Sequence, residues 1–166
     1  MVNVLLIGEK NIDANSSWYS WLSKQLDKRG HKLLIFNLDS NDDVNDCLNK
    51  ADAFSNALDS NSMIIGYGFG VKVALKIIEN RVDPVSAAFF IAGSLDDEQY
   101  NFESIREKVD DFFVYASDND SIVNLSDVEH LGAMIGETVF MVPDAMHFDN
   151  MSEFEDLLID ILSVLS

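Results

Sequence analysis

Short runs of consecutive apolar residues alternate along this chain with longer segments whose apolar residues recur every three or four positions. The short runs are typical of buried strands and the longer segments of amphipathic helices. The predicted strands are Val2–Ile7, Lys32–Phe36, Met63–Gly66, Val85–Ala92, Phe112–Ala116 and Thr138–Val142. The predicted helices are Trp18–Arg29, Val44–Leu58, Val71–Asn80, Glu103–Val109, Leu125–Ile135 and Glu153–Leu165.

The order of these elements predicts the fold class. Strands that are apolar almost throughout are buried on both faces, and helices between them imply a parallel sheet covered on each side. We therefore expect an α/β fold with three α/β/α layers and a doubly wound, mostly parallel sheet of about six strands. The 166 residues contain two prolines and no linker rich in glycine or proline, so a single domain over 1–166 is expected. Ligands of such folds bind beyond the carboxyl ends of the strands.

Charge and composition narrow the classes of partner. The chain has 11 basic and 29 acidic residues and a formal net charge of −18, which argues against binding to nucleic acid or to an anionic membrane surface. A lone cysteine, Cys47, excludes an intramolecular disulfide and a cysteine-based zinc site. The apolar runs are too short for a membrane span or a signal peptide, so a cytoplasmic protein is expected. We predict no cofactor and no metal, and the partner is an unknown small ligand or protein.

The segment Gly66-Tyr67-Gly68-Phe69-Gly70 lies between the third strand and the helix that follows it. Glycines at alternate positions between strand and helix match the frame of a nucleophile elbow, G-x-S-x-G. Gly68 takes the place of the nucleophile and has no side chain. Two other interpretations remain open, a plain tight turn and a phosphate-binding loop, although Val71 replaces the third glycine of a dinucleotide motif.

An aspartate and a histidine follow the last two strands. Asp120 lies in Ser117-Asp118-Asn119-Asp120-Ser121-Ile122-Val123, where it is placed to orient a histidine or to form a solvated acidic turn. A third interpretation is the D-x-D pair of a phosphotransferase, although that pair belongs after a first strand. His147 follows the sixth strand, whereas His31 lies just after a helix and His130 on a helix surface. The chain order of elbow, aspartate and histidine is that of a hydrolytic triad.

Four segments together resemble the YdeN-like serine hydrolases, a group of small α/β-hydrolase-fold proteins that includes the retinoblastoma-binding-protein type. They are the glycine turn, the Asp120 loop, the His147 loop and Trp18-Tyr19-Ser20-Trp21-Leu22, which by itself indicates only a core-packing helix face. The resemblance implies that Asp120 and His147 are retained triad members and that Gly68 stands where the family has its serine.

The resemblance also identifies positions around the reaction centre. Gly8-Glu9-Lys10 replaces a His-Gly-aromatic turn that helps to form the oxyanion hole in the family, and Phe69 follows the nucleophile position. The oxyanion-hole region therefore comprises Glu9, Lys10 and Phe69. Gly8 and Tyr67, which replaces a histidine of the family, are expected to line the pocket.

These departures lead to a functional expectation. Removal of the nucleophile from a serine-protease triad costs on the order of 10⁶ in kcat, and a glutamate beside a developing oxyanion opposes acyl transfer. We expect a non-catalytic binding or regulatory pseudo-hydrolase. We also expect the missing side chain at Gly68 to enlarge the pocket floor enough for a small ligand.

Two alternatives belong to other functional classes. A weak or residual carboxylester hydrolase would use His147, held by Asp120, to activate water. A flavodoxin-like nucleotide or flavin binder would hold phosphate at a helix N-terminus.

Overall fold

The structure is a computed structural model and describes residues 1–13, 15, 17–96 and 98–166. Strands and helices alternate through these residues. The strands are β1 Asn3–Ile7, β2 Lys32–Phe36, β3 Met63–Tyr67, β4 Val85–Ile91, β5 Val109–Ser117 and β6 Val139–Val142. The helices are α1 Trp18–Asp27, α2 Val44–Ser55, α3 Gly70–Asn80, α4 Phe102–Glu107, α5 Leu125–Ile135 and α6 Glu155–Leu165. Within those ranges, no helix has both the length and the apolar character needed to cross a membrane.

The six strands form one sheet in the order β2-β1-β3-β4-β5-β6, and every pair of neighbours is parallel. The predicted doubly wound parallel sheet is confirmed. This order is also compatible with a flavodoxin-like protein, so strand order alone does not separate the functional alternatives.

Two hydrophobic cores cover the two faces of the sheet. On β1, Leu5 and Ile7 point into the core shared with α2, α3, α4 and α5, whereas Val4 and Leu6 point into the core shared with α1 and α6. Successive side chains of a strand point to opposite faces, so an uninterrupted apolar run serves both layers. The predicted three-layer α/β/α architecture follows.

The predicted elements are all present, and their bounds differ from the predictions by a few residues. The largest differences are three residues, at α2, which ends at Ser55 rather than Leu58, and at β5, which begins at Val109 rather than Phe112. Asp110 and Asp111 are exposed and interrupt the apolar pattern, yet their backbone continues the sheet, with Val109 paired to Val85. Main-chain pairing with β4 extends the strand where the side chains give no signal.

The parallel arrangement brings the carboxyl ends of all six strands to one edge. The loops that follow β1, β3, β5 and β6 therefore begin at the same edge of the sheet. These loops carry the candidate residues identified from the sequence, except Tyr67, which is the last residue of β3.

Candidate functional site

The imidazole of His147 lies between two carboxylates. Its Nδ1 is 2.9 Å from Asp120 Oδ2, and its Nε2 is 2.8 Å from Glu9 Oε2. The His147 side chain is 8% exposed, and those of Asp120 and Glu9 are 4% and 15% exposed. Three loops that are distant in sequence thus place three titratable groups in one buried row.

Asp120 is held in position by the turn after β5. Its Oδ1 accepts hydrogen bonds from the backbone N–H groups of Ile122, at 2.8 Å, and Val123, at 3.0 Å. Aspartate commonly folds back onto the backbone two residues ahead in this way. The turn fixes the carboxylate so that Oδ2 faces His147.

The loop that carries His147 has an unusual backbone. Asp144, Met146 and Phe148 have φ values of 53°, 52° and 62°, in the left-handed region that residues other than glycine rarely adopt. The loop is tied to its neighbour by the Met146 N–H, which donates to Asn119 Oδ1 at 2.8 Å. Strained backbone of this kind persists where the surroundings hold it, which is common at functional sites.

Glu9 follows β1 and uses both oxygens of its carboxylate. Oε1 accepts hydrogen bonds from the backbone N–H of Lys10, at 2.7 Å, and of Phe69, at 3.1 Å. Oε2 contacts His147 Nε2. The N–H groups of Lys10 and Phe69, two residues of the predicted oxyanion-hole region, therefore converge on one oxygen atom of Glu9.

Gly68 lies in the turn between β3 and α3 with a φ of +58°. A Cβ added to Gly68 would lie 1.7 Å from Glu9 Oε2 and 2.3 Å from Glu9 Cδ. The expectation that Gly68 enlarges the pocket floor is therefore wrong, because the Glu9 carboxylate fills that space. The sequence shows a glycine at the elbow and a glutamate after β1. It does not reveal that these two residues are in contact.

The carboxylates change the proton affinity of His147. Burial lowers its pKa, but the hydrogen bonds to Glu9 and Asp120 raise it by more, so the pKa lies above its usual value. A protonated imidazole donates from both nitrogens, one to each carboxylate. In this state neither nitrogen is free to accept a proton from a substrate or from water.

Aromatic residues beneath the site hold its loops in place. The Tyr19 hydroxyl accepts a hydrogen bond from the Glu9 N–H at 3.1 Å, and Trp18 Nε1 donates to the Phe148 carbonyl at 3.2 Å. The Tyr67 hydroxyl donates to the His147 carbonyl. The sequence indicated only core packing for Trp18 and Tyr19, whose polar atoms in fact position the site from within the core.

A cavity of about 300 Å³ adjoins Glu9, and its lining includes Gly68, Phe69 and Lys10. Gly8 and Tyr67 do not line it, contrary to expectation. Both are buried, and a Cβ at Gly8 would lie 2.7 Å from the Tyr19 hydroxyl oxygen. A larger groove of about 710 Å³ lies between α2 and α3, away from His147.

Two lysines lie close to the Phe69 ring in the lining of the cavity of about 300 Å³. The Lys10 ammonium lies 3.8 Å from the ring centroid and donates to the Asp42 carbonyl at 2.6 Å. The Lys72 ammonium lies 5.1 Å from the same centroid and pairs with Asp96. Across the described ranges, no group of three or more His, Cys, Asp or Glu side chains is arranged to hold a metal ion.

Comparison with known protein families gives a match over most of the chain. The model of a family described as serine hydrolase covers residues 4–162. This match favours a hydrolase-family protein over the flavodoxin-like alternative, which the strand order had left open. A search of curated protein sequences found no match.

Solved structures show the same fold. The ydeN gene product of B. subtilis superimposes with a TM-score of 0.91 at 19% identity, covering 99% of each chain. A putative YdeN-like hydrolase of Pectobacterium atrosepticum has a TM-score of 0.76 at 12% identity, covering 98% of this chain and 90% of that one. The esterase domain of a Rhodothermus marinus protein has a TM-score of 0.73 at 14% identity, covering 98% and 84%. The YdeN-like α/β-hydrolase resemblance is confirmed at the level of family and fold.

Proposed function

This chain belongs to the serine hydrolase family, and from that premise we propose that it is a non-catalytic member, a pseudo-hydrolase that binds a ligand or a protein partner. One observation carries the proposal. The Glu9 carboxylate fills the space beside Gly68 and engages the Phe69 N–H and His147 Nε2. Serine hydrolysis requires a nucleophile, donors that stabilise the oxyanion and a general base, and the arrangement of Gly68 and Glu9 is unfavourable to all three.

The first requirement is a nucleophile. In the G-x-S-x-G frame the reactive hydroxyl belongs at Gly68, which has no side chain. Loss of this group in a serine-protease triad costs on the order of 10⁶ in kcat. Ser94 lines the neighbouring cavity, but its hydroxyl donates to Asp96 Oδ1 at 2.9 Å. Ser94 therefore gives no support to a displaced nucleophile.

The second requirement is stabilisation of the oxyanion. The donors suited to this task, the N–H groups of Lys10 and Phe69, are both bonded to Glu9 Oε1. Loss of one oxyanion-hole donor costs roughly 10²–10³ in kcat. Two like charges 4 Å apart also repel by about 4 kcal/mol at an effective dielectric constant near 20. A tetrahedral intermediate is disfavoured beside an ionised Glu9.

The third requirement is a general base. The retained contact between Asp120 and His147, at 2.9 Å, is the observation that favours a residual hydrolase that activates water. The opposite nitrogen of the ring, which would take the proton, already contacts Glu9 Oε2. The same row of groups that preserves two triad members thus disfavours their use in catalysis.

Restoring the missing parts tests the proposal. We would measure p-nitrophenyl acetate hydrolysis and fluorophosphonate labelling for the native protein, Glu9→Ala, Gly68→Ser and the double variant Glu9→Ala/Gly68→Ser. The native protein and both single variants are expected to be inert, because Glu9→Ala lacks a nucleophile and Gly68→Ser places Cβ against Glu9. The double variant removes the obstruction and adds the hydroxyl, so it is expected to become labelled.

A matched control tests whether labelling depends on the retained pair. Adding His147→Ala to the double variant should abolish labelling, since the serine then lacks its base. The proposal fails if the native protein hydrolyses the ester and His147→Ala removes that activity.

A further inference from the structure

The Glu9 carboxylate is held as a bound ligand would be. One oxygen accepts from two backbone N–H groups and the other from the His147 imidazole. Charge-assisted hydrogen bonds of this kind are the strong ones in proteins. The site therefore has the donor set of a carboxylate receptor, with an occupant supplied by the chain itself.

Two of the three donors do not belong to the loop that carries Glu9. The Phe69 N–H lies at the start of α3, and His147 is fixed from the other side by Asp120 and by the Tyr67 hydroxyl. These donors would stay in place if the Glu9 side chain turned away. The third donor, the Lys10 N–H, is adjacent to Glu9 in the chain.

A cavity adjoins the position of the Glu9 carboxylate and gives an external acid a route to its donors. The cavity of about 300 Å³ reaches Gly68 and Glu9 and has an apolar wall at Val123 and Ile122. Its volume is at the lower end of small-molecule sites. The space left by the absent Cβ at Gly68 holds Glu9 Oε2, so it would take an oxygen of an external carboxylate once the Glu9 side chain turns away. A short organic acid fits these dimensions, with its alkyl chain along the apolar wall.

The cavity lining has two ammonium groups, Lys10 and Lys72, and two carboxylates, Glu9 and Asp96, so its local charge is more favourable to an anion than the net charge of −18 implies. The ammonium groups of Lys10 and Lys72 flank the Phe69 ring, although Asp96 pairs with Lys72. Locally grouped charge steers ligands independently of the net charge of the protein.

We propose that this site binds small monocarboxylates, which displace the Glu9 side chain from the Phe69 N–H and His147. The inference rests on the proposed non-catalytic function, and it names the ligand class of that same site. A tethered group competes at an effective concentration in the millimolar range. Glu9 therefore weakens the binding of an external acid without closing the site to it.

Titration with acetate and butyrate tests this inference. We would follow the Phe69 amide and the His147 imidazole by NMR in the native protein, in Glu9→Ala and in Glu129→Ala, which removes an exposed glutamate of α5 as a matched control. Small ligands of four to six heavy atoms reach at best roughly millimolar to micromolar affinity. Butyrate is expected to bind Glu9→Ala at least roughly tenfold more tightly than the native protein, because the tethered competitor is gone. Glu129→Ala should match the native protein, and acetamide should shift neither resonance.

Each outcome decides the inference. Failure of folded Glu9→Ala to respond to either acid overturns the carboxylate site. A response of Glu9→Ala alone, with none in the native protein at 100-fold higher butyrate, overturns displacement of Glu9. If Glu9→Ala does not fold, the titration of the native protein with butyrate tests the inference without that variant. Ester hydrolysis is measured separately, so failure of the proposed function is distinguishable from failure of this inference.

Discussion

A side chain at Gly68 and the carboxylate of Glu9 require the same space. The Cβ of any residue at position 68 would lie 1.7 Å from Glu9 Oε2, a distance that no pair of unbonded heavy atoms tolerates. The glycine and the glutamate therefore depend on one another. Glycine at position 68 accommodates the Glu9 side chain, although 59 residues separate the two in the chain.

The dependence predicts energetic coupling between the two positions. Gly68→Ala in the native protein adds a steric conflict with Glu9 to the cost of a left-handed alanine, about 1–2 kcal/mol. In the Glu9→Ala background only the backbone cost remains. We expect Gly68→Ala to reduce the free energy of unfolding by about 0.5–3 kcal/mol more in the native background, the usual range for contacting residues. Urea unfolding of the four proteins measures the difference.

A second glycine provides the control for this cycle. Gly30 has a φ of +78° and no neighbouring atom within 4 Å of an added Cβ. Gly30→Ala should cost the same in both backgrounds. Equal costs for Gly68→Ala in the two backgrounds would contradict the coupling.

The position of His147 predicts a pH dependence of stability. Burial lowers its pKa, but the hydrogen bonds to Glu9 and Asp120 outweigh burial and raise the pKa above 6.5 in the folded protein. Because the folded protein binds the imidazole proton more tightly than the unfolded chain does, protonation of His147 stabilises the folded state. This contribution is complete at pH values below the pKa of the unfolded chain and is lost as the pH rises through the pKa of the folded protein. The free energy of unfolding from urea titration should therefore fall between pH 6 and the alkaline side of the His147 transition.

Glu9→Gln tests the cause of this dependence. It removes one of the two carboxylates that raise the His147 pKa while keeping the size of the side chain. NMR titration of the imidazole should give a lower pKa than in the native protein, and the fall of stability with pH should become smaller. An unchanged His147 pKa in this variant would show that Glu9 does not act on the ring.

The start of α3 predicts a strict requirement for glycine. A Cβ at Gly70 would lie 2.1 Å from the Ile7 carbonyl oxygen and 2.8 Å from that of Gly8, and backbone atoms have little room to move. Gly70→Ala should lower stability by about 1–3 kcal/mol or more, as overpacking does. It should also push away the loop that carries Glu9, which would shift the His147 imidazole resonances.

Gly136 supplies the comparison for this variant. It has a φ of +81° with open space around an added Cβ, so Gly136→Ala adds backbone strain alone. It should leave the His147 resonances unchanged. A Gly70→Ala protein whose imidazole resonances match the native ones would refute the link between this glycine and the site.

Local sequence patterns predicted the elements because they report local exposure. An apolar run such as Leu5 to Ile7 is buried on both faces wherever its strand lies in the sheet, and the helices between the runs imply parallel strands. The start of β5 was not predictable, since Asp110 and Asp111 are exposed and only main-chain pairing holds them in the sheet.

The sequence by itself determined the α/β class, the edge of the sheet where the candidate residues lie and the missing side chain at position 68. Only the tertiary structure decided that Glu9 contacts His147, 138 residues away, and that it fills the space beside Gly68. The physical reason is that hydrophobic periodicity records how exposed each residue is, not which residue it meets. The order of the strands brings β1, β3 and the loops after β5 and β6 together, and side-chain volume then decides which group occupies the space among them.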